Sequence, residues 1–226
     1  MYFIQKNITR FQNLSMTYFL NPSELKELCS HMKKKDYLIY KPYPDSEKNI
    51  VYQGEQPEVL LYEIICHTPF RHQDILGTLY SLNIASDLFG DVLVIQNHYY
   101  VYILPIVQNY FETNFTMIKN SRITLKQIPV DTLQDYEREY EMIEMIVSSC
   151  RIDTVLSSIL HVSRGMIDSY LKDKDVLLNY EVLKDPSYKL KEEDVFSIRK
   201  VGKYRFLEIL RNTKGNHFVI ALKKYI

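Results

Sequence analysis

Two places in the sequence combine residue types that can bind an anion or transfer a proton. At the first, Ser163 and Arg164 stand just before a stretch in which Ile167 and Leu171 recur at helical spacing. Serine is a preferred N-cap residue, so a helix is predicted to begin at Ser163. The start of a helix offers free backbone N–H groups and a partial positive charge, and Arg164 adds a guanidinium beside it. This pattern predicts a phosphate-binding site.

Further basic residues lie around that helix start. Lys172 and Lys174 follow on the same predicted helical hairpin, and Arg151 opens the helix before it. Arginine can hold a phosphate with two parallel hydrogen bonds, and structured RNA is usually recognised by its shape and backbone. Arg151 and Asp153 have an alternative, a surface salt bridge and a cap at the helix start. Ser163 is expected to cap its helix in either case, and we interpret Asn179 as a turn residue.

The second place is the start of a helix predicted over residues 71–82. His72 and Asp74 stand two residues apart there, next to Arg71. They could form a general acid/base pair, which would make the chain an RNA-modifying or RNA-hydrolysing enzyme. The simpler interpretation is that Asp74 places charge at the helix start while His72 is exposed. An intermediate interpretation makes Arg71, His72 and Asp74 a surface for a protein or RNA partner. No Gly-rich phosphate loop is present, and we expect no catalytic activity.

The bulk composition is that of an ordinary globular protein with zero net charge. The charge is unevenly distributed, because residues 151–226 hold 15 Lys+Arg against 10 Asp+Glu, whereas residues 1–150 hold 13 against 18. The basic excess therefore lies with the predicted phosphate site. No apolar run is long enough for a membrane span and no signal peptide is visible, so a cytoplasmic protein is expected. The three distant cysteines indicate reduced thiols, without a metal site or cofactor.

The predicted fold class is α+β, with a ferredoxin-like (RRM-like) domain over residues 59–130. Residues 1–58 precede it as a helical and extended segment, with a helix that Asn21 or Ser23 caps. Strands over 59–66, 92–95, 99–104 and 122–128 and helices over 71–82 and 105–115 give the order βαββαβ. Tyr100 and Tyr102 share one face of the third strand, and packing against neighbouring side chains is the favoured reason.

The rest of the chain is predicted as a connector and a second domain. Tyr136, Tyr140, Ile143 and Val147 fall at helical spacing between glutamates, which predicts an amphipathic connector helix over 131–150. Residues 151–226 are predicted to form a small α/β RNA-binding domain. It would consist of a two-helix hairpin and strands over 176–178, 194–199, 204–210 and 217–222, with a hairpin turn over 212–216.

The C-terminal domain resembles the RNA-binding domain named after small-subunit ribosomal protein S4. The matching runs are Arg151-Ile152-Asp153, Val162-Ser163-Arg164, Val176-Leu177-Leu178-Asn179, and Asp194-Val195 with Arg199. The segment Ser197-Ile198-Arg199-Lys200-Val201-Gly202-Lys203-Tyr204 is similar to an ending typical of the YlmH family. Three N-terminal runs support the same family: Tyr43-Pro44-Asp45, His72-Gln73-Asp74-Ile75-Leu76-Gly77 and Phe89-Gly90-Asp91-Val92-Leu93-Val94.

This resemblance implies a non-catalytic, bacterial RNA-binding protein that binds rRNA or tRNA on the large ribosomal subunit. The family is associated with translation, in rescue or quality control of stalled peptidyl-tRNA complexes. The predicted phosphate site and the resemblance to the family's C-terminal pattern together give the expected RNA-binding residues. These are Arg151, Ser163, Arg164, Lys172, Lys174, Arg199, Lys200 and Lys203. Asp173-Lys174-Asp175 departs from the family's Ser-Gly-Lys, so a turn glycine and a basic strand residue are missing.

Overall fold

The computed structural model describes residues 2–173 and 175–226 of the chain. They form two compact units, of which the first ends at Glu137 and the second begins at Arg138. The helices are α1 (Tyr2–Leu14), α2 (Pro22–Ser30), α3 (His72–Ser81), α4 (Gln108–Asn114), α5 (Ile152–Leu160) and α6 (Arg164–Lys172). The strands of the first unit are β1 (Leu38–Tyr40), β2 (Ile50–Tyr52), β3 (Leu60–Ile65), β4 (Phe89–Ile95), β5 (His98–Ile103), β6 (Met117–Ile118), β7 (Ser121–Arg122) and β8 (Thr124–Ile128). Those of the second are β9 (Tyr140–Val147), β10 (Val176–Leu178), β11 (Glu181–Val182), β12 (Val195–Ile198), β13 (Gly202–Asn212) and β14 (Phe218–Tyr225).

Helix α2 begins where the sequence predicted. The Asn21 side chain accepts a hydrogen bond from the backbone N–H of Glu24 at 3.0 Å, and the Glu24 carboxylate accepts one from the N–H of Asn21 at 2.8 Å. This reciprocal pair is a capping box, and Pro22 suits the first helical position. Asn21, and not Ser23, is therefore the cap. Helix α1 and the strand pair β1–β2 were not predicted.

The central sheet of the first unit is antiparallel and has the strand order β4-β5-β3-β8. Helix α3 connects β3 to β4, and α4 lies between β5 and β8 in the chain. Strands β4 and β5 form the predicted hairpin, in which Ile95 pairs with His98. The two turn residues, Gln96 and Asn97, have φ of 47° and 67°. A two-residue hairpin turn of type I′ has this left-handed backbone at both central positions.

Both faces of this sheet are buried. On one face, Tyr62, Val101 and Ile103 pack in a core with residues of α3 and α4. On the other face, Leu61 and Tyr102 pack in a second core with residues from the N-terminal segment. The central strands β3 and β5 are consequently an interior layer of the first unit, whereas the edge strand β8 is partly exposed.

Gly90 lets the N-terminal segment approach this sheet closely. A Cβ atom at that position would lie 2.9 Å from Cβ of Tyr102 and 3.0 Å from a ring carbon of Phe19. The neighbouring Asp91 carboxylate accepts hydrogen bonds from the Tyr43 hydroxyl at 2.5 Å and from the backbone N–H of Glu47 at 2.8 Å. Two of the family-like runs, those at Tyr43 and at Gly90-Asp91, thus meet and hold the segment on the sheet.

The second unit is built on a six-stranded antiparallel sheet in the order β11-β10-β12-β13-β14-β9. Ile152, Leu156 and Ile167 of α5 and α6 pack in one core with Phe196 and Leu222 of the sheet. Asn179 lies in the turn between β10 and β11 with φ of 49°, and its side chain bonds Asp194 and the N–H of Val195. The interpretation of Asn179 as a turn residue is confirmed, as is the two-helix hairpin followed by strands.

The predicted connector helix over residues 131–150 is wrong. Residues Tyr140–Val147 form strand β9, which pairs with β14 from Tyr140 opposite Tyr225 to Val147 opposite Phe218. Ile143, Met145 and Val147 alternate along it and pack in the core of the second unit. Strand β9 is therefore part of the second unit, while the residues up to Glu137 belong to the first.

The sequence predicted no membrane span, no metal site and no disulfide bond. Within residues 2–173 and 175–226, no helix combines the length and apolar character that a membrane crossing requires. The same residues contain no group of His, Cys, Asp and Glu arranged to hold a metal ion. Cys29, Cys66 and Cys150 are free thiols.

Candidate nucleic-acid interface

The start of α6 is an open helix N-terminus. Ser163 occupies the N-cap position with an extended backbone (φ −69°, ψ 153°), as predicted, although within the described residues its hydroxyl makes no capping hydrogen bond. The backbone N–H of Met166 donates to the Ser163 carbonyl at 3.0 Å and closes the first turn. Residues 163–166 are all exposed, and a Cβ on Gly165 would meet no described atom within 4 Å other than its chain neighbours and the backbone of the helix itself. The first-turn N–H groups thus lie beneath an uncovered surface, which suits an anion.

Arg164 is the first residue of this helix, and its side chain is exposed. Its Nη2 donates a hydrogen bond to the Ser148 hydroxyl, just after β9, at 2.9 Å. A hydroxyl is an uncharged partner, so it orients the guanidinium beside the helix start without neutralising it. An oriented and still charged guanidinium next to free N–H groups is well suited to hold a phosphate.

Arg151 is engaged differently. Its Nε and Nη2 donate to the two carboxylate oxygens of Asp153 at 3.1 and 2.7 Å. Burial acts to raise the pKa of Asp153, but hydrogen bonds from Arg151 and Thr154 outweigh it and leave the pKa below its usual value. The salt-bridge alternative for Arg151 is therefore observed. Since its side chain is still 39% exposed, the guanidinium also has surface open to solvent.

Three predicted residues lie around the other end of α6. Lys172 is exposed in the last turn of the helix, and Arg199 and Lys200 lie in the turn between β12 and β13. Asp175 joins the two segments, because its backbone carbonyl accepts from the N–H of Arg199 at 2.8 Å and its carboxylate pairs with Nη1 of Arg199 at 3.3 Å. The Arg199 side chain is 71% exposed, so this pair is well solvated and weak. Lys174 lies outside the described residues.

Lys203 lies on the opposite face of the sheet from the helices. It neighbours Tyr204 on β13, and Tyr204 faces the core. Its ammonium donates to the Tyr180 hydroxyl at 3.2 Å and lies 4.5 Å from the centre of that ring.

The predicted RNA-binding residues therefore fall into separate groups. Ser163 and Arg164 lie at the start of α6, and Lys172 lies with Arg199 and Lys200 near its end. A nine-residue helix with a rise of about 1.5 Å per residue separates its first and last residues by about 12 Å. Arg151 is held by Asp153, and Lys203 belongs to another surface.

Asp74 serves as an electrostatic anchor at the start of α3. Its carboxylate pairs with Lys119 at 2.8 Å and accepts a hydrogen bond from the backbone N–H of Arg71 at 3.0 Å. The hydrogen bond from Lys119, followed by that from Arg71, lowers the pKa of Asp74 to about 2. A carboxylate with so low a pKa is a poor proton acceptor at neutral pH. The position of Asp74, with His72 exposed beside it, agrees with the charged helix start and does not favour the acid/base pair.

Several residues near the predicted ones come together only in the folded sheet and were not predicted. Ser148 became visible as the partner of Arg164, while Arg205, Lys223 and Tyr225 lie near Lys203. A signal was present, because Lys203 and Arg205, like Lys223 and Tyr225, are spaced two residues apart. In a strand, residues at this spacing share a face.

Comparison with known proteins agrees with this geometry. Residues 150–196 match the model of the S4 domain family, and residues 55–132 match the family described as "Putative RNA-binding domain in YlmH". Together with the helical hairpin and its basic helix start, these matches define an RNA-binding protein of the S4-domain class. Within that class, the two family matches and the relative described below support a YlmH family RNA-binding protein.

Two relatives give the degree of similarity. The chain is 25% identical over 153 residues to "Ribosome-associated protein quality control protein P2" of Bacillus subtilis (strain 168), an alignment that covers 68% of this chain and 60% of the relative. The chain thus spans less than two thirds of the length of that relative. A solved structure, "Cell division protein ylmH from Streptococcus pneumoniae", is 24% identical with a TM-score of 0.47 and covers 58% of this chain and 90% of that chain.

Proposed function

We propose that this protein is a non-catalytic factor that binds rRNA or tRNA on the large ribosomal subunit. The observation that carries the proposal is Arg164, an exposed guanidinium at the open start of α6 within the S4 match. The matched relative is named for ribosome-associated quality control, which supports a role of this kind in the cytoplasm for the present chain.

The proposed division of labour places phosphate binding in the second unit. Ser163 and Arg164 hold one phosphate, and the basic group near the end of α6, with Lys172, Arg199 and Lys200, reaches a second stretch of backbone. Two sites about 12 Å apart contact separate stretches of backbone, and a structured RNA can present two such stretches without being ordered on binding. Lys174 and Arg151 are proposed as auxiliary contacts.

The first unit is proposed to act as a partner-binding domain with a ferredoxin-like arrangement. Its strand order β4-β5-β3-β8 and its alternating helices support that arrangement. Arg71, His72 and Asp74 are the proposed partner surface. A shallow cleft beside them is lined by residues of α3 and of the loop after α4, including Gln73, Thr78, Asn114 and Lys119.

Substitution of Arg164 tests the RNA site. Arg164→Ala removes a contact between charged groups worth about 1.5 to 3 kcal/mol, so affinity for a structured rRNA or tRNA fragment is expected to fall roughly tenfold or more. The slope of log affinity against log salt should become shallower by about one phosphate contact. Fluorescence anisotropy over a series of salt concentrations measures both quantities.

Lys172→Ala is the matched control at the other end of α6. It removes one exposed charge, and because lysine acts as a flexible point charge the loss of affinity should be smaller. Both variants should keep the wild-type unfolding free energy within about 0.5 kcal/mol. If Arg164→Ala binds RNA as tightly as the wild type while folded, the assignment of this site is wrong.

Sedimentation with ribosomal particles tests the ribosomal part of the proposal. The wild-type protein should travel with the particles at low salt and leave them at high salt, because phosphate contacts weaken as salt rises. Arg164→Ala should be released at a lower salt concentration. A wild-type protein that stays at the top of the gradient even at low salt would refute ribosome binding and leave RNA binding to be judged by anisotropy.

A further inference from the structure

The six-stranded sheet of the second unit has two chemically different faces. One carries Phe196 and Leu222 and packs in the core with α5 and α6. Neighbouring residues of a strand point to opposite faces, so Lys203 and Arg205 of β13 and Lys223 of β14 project from the other face. The strand register sets Arg205 directly opposite Lys223. Three cations are thereby gathered on two adjacent strands.

Two tyrosine rings lie among these cations. The centre of the Tyr225 ring is 4.8 Å from the ammonium of Lys203 and 5.7 Å from the guanidinium carbon of Arg205. Arg205 also donates to the Tyr225 hydroxyl at 2.8 Å. Tyr140, opposite Tyr225 on β9, meets it edge to face at 5.1 Å, and the ammonium of Lys223 is 5.0 Å from the Tyr140 ring.

A third ring, that of Tyr180, extends this arrangement to the other side of Lys203, 4.5 Å from its ammonium. A path across the strands, from the turn after β10 to β9, therefore passes Tyr180, Lys203, Tyr225 and Tyr140 at successive separations of 4.5, 4.8 and 5.1 Å. All three rings are partly exposed along it. We call this surface the basic-aromatic face, defined by Tyr140, Tyr180, Lys203, Arg205, Lys223 and Tyr225.

Acidic residues set the direction in which an anionic partner can lie. Glu144 and Glu208 both pair with Ala221, two residues from Lys223 along β14, and form an acidic row beside the basic-aromatic face. A polyanion running along the strands would meet this row, whereas one running across them would not. Glu193 pairs with Arg205 at 3.4 Å, but its side chain is 69% exposed and such a pair is weak.

We infer that the basic-aromatic face binds a single-stranded segment of RNA that runs across the strands. The inference rests on the proposed RNA-binding function and adds the class of RNA that this second surface accepts. Unpaired bases can stack on tyrosine rings while lysine and arginine side chains hold the phosphates between them. Three rings spaced along one path offer stacking positions for a few consecutive bases.

Double-stranded RNA and acidic peptides fit this surface less well. In a duplex the base faces are stacked on one another, so no base is free to stack on the tyrosine rings. Only the cations would then contribute to binding. An acidic peptide supplies charge but no flat groups to match three tyrosines. The combination of rings and cations therefore favours unpaired RNA.

The first experiment uses the full wild-type chain without substitution. A short unstructured oligoribonucleotide is crosslinked to the protein by ultraviolet light, and the modified peptides are identified by mass spectrometry. Crosslinks are expected at Tyr225, Tyr140 or Tyr180. Crosslinks confined to the first unit or to α6 would overturn the inference.

Substitutions at Tyr225 give the quantitative test. Tyr225→Leu removes the ring but keeps an apolar side chain, and affinity for the oligoribonucleotide should fall about tenfold, which equals about 1.4 kcal/mol. Tyr225→Phe keeps the ring and should stay within about threefold of the wild type, a difference below 0.7 kcal/mol by the same relation. An abasic strand of equal length should bind the wild type more weakly and show no further loss with Tyr225→Leu. Equal affinity for the abasic and the complete strand would show that charge alone attracts RNA and would refute stacking.

Two further outcomes separate this inference from the proposed function. If a structured RNA binds and depends on Arg164 but Tyr225→Leu leaves single-strand affinity unchanged while folded, the inference fails and the proposed function stands. If the wild type binds neither RNA, both fail. Competition by an acidic polypeptide as effective as that by the oligoribonucleotide would assign the face to a protein partner and also overturn the inference.

Discussion

Each unit contains an antiparallel sheet with one face packed on helices, α3 and α4 in the first unit and α5 and α6 in the second. The opposite face of each sheet carries tyrosines, and it is covered in the first unit but not in the second. In the first unit the N-terminal segment covers it, so Tyr102 is 0% exposed and stacks on Tyr43. In the second unit the corresponding face carries cations around Tyr225, and Met142 beside it is 60% exposed. Tyrosine on a strand therefore indicates a binding surface only where nothing else covers the sheet.

The side chains on each sheet face explain why the face around Tyr102 is covered and the face around Tyr225 is not. Around Tyr102 the neighbours are apolar, such as Phe19, Leu61 and Leu104, and burying them removes apolar surface from water. Around Tyr225 the neighbours are lysine and arginine, and burying their charges would cost several kcal/mol each in lost hydration. Such a face can be covered only by a partner that supplies negative charge.

The largest expected effect comes from comparing a chain cut before β9 with one cut after it. Fragment 138–226 should unfold cooperatively and keep most of the RNA affinity, whereas 151–226 should lose cooperative unfolding. The shorter fragment lacks Ile143, Met145 and Val147, and burial of such side chains stabilises by about 1.5 to 3 kcal/mol each when complete. Their sum is comparable with the whole stability of a domain, about 5 to 15 kcal/mol.

Thermal unfolding followed by circular dichroism, with RNA binding measured by anisotropy, compares the two fragments. Fragment 1–137 is the matched control and should bind the same RNA weakly. RNA affinity found mainly in fragment 1–137 would reverse the comparison between the two sheets.

A single substitution on the covered face should change stability and not binding. Tyr102→Ala removes a fully buried ring, so the free energy of unfolding should fall by about 3 to 5 kcal/mol, as for other large aromatic truncations. Urea denaturation measures this loss. RNA affinity of the folded variant should match that of the wild type.

Tyr102→Phe is the control that separates the ring from its hydroxyl. Within the described residues the buried Tyr102 hydroxyl has no hydrogen-bond partner, and burial raises the pKa of this group. Removing an unsatisfied buried hydroxyl should leave stability unchanged or raise it by about 1 to 3 kcal/mol. A marked loss of RNA affinity in the folded Phe variant would show that this face also reaches RNA.

The smallest expected effect concerns acid stability and the anchor at Asp74. Its pKa is about 2 in the folded protein, below the value of about 3.9 in an unfolded chain. A lowered pKa stabilises the fold above about pH 4, and that contribution is lost as the pH falls towards 2. Asp74→Asn should therefore be less stable than the wild type at neutral pH, with a gap that narrows on acidification.

Urea denaturation at neutral and acidic pH measures the gap between the wild type and Asp74→Asn. Affinity for an RNA that depends on Arg164 should be the same for both, because the proposed phosphate site lies in the second unit and Asp74 lies in the first. A gap that stays constant between neutral pH and about pH 2 would contradict the assigned role of the carboxylate.

Local signals allowed much of the fold to be predicted. Turn chemistry at Gln96-Asn97 and the capping box at Asn21 act over a few residues, so the sequence displays them directly. Strand β9 was misread because Tyr140-Glu141-Met142-Ile143-Glu144-Met145-Ile146-Val147 has apolar residues on both faces of a strand, and they also satisfy a helical period. Residues 140–147 form a strand because they pair with β14, about eighty residues later in the chain. A contact between such distant residues cannot be predicted from the local sequence pattern.

The candidate site was predictable to a similar degree. Arg164 and Ser163 follow from local helix-start rules, and the structure places them there. The pairing of Arg199 with Asp175, by contrast, depends on how the strands align, because the two residues are 24 positions apart in the sequence. The same holds for the meeting of Lys203 with Tyr225, since only the register of the folded sheet brings them together.

The position of β9 at the edge of its sheet has a consequence for the order of folding during synthesis. Its partner β14 ends at Tyr225, so β9 has no neighbour in its own sheet until the residues up to Tyr225 have left the ribosome. Pairings between residues far apart in sequence form slowly, because a long loop must close first. The second unit is therefore expected to complete its sheet only after β14 has emerged, while the first unit can already be folded.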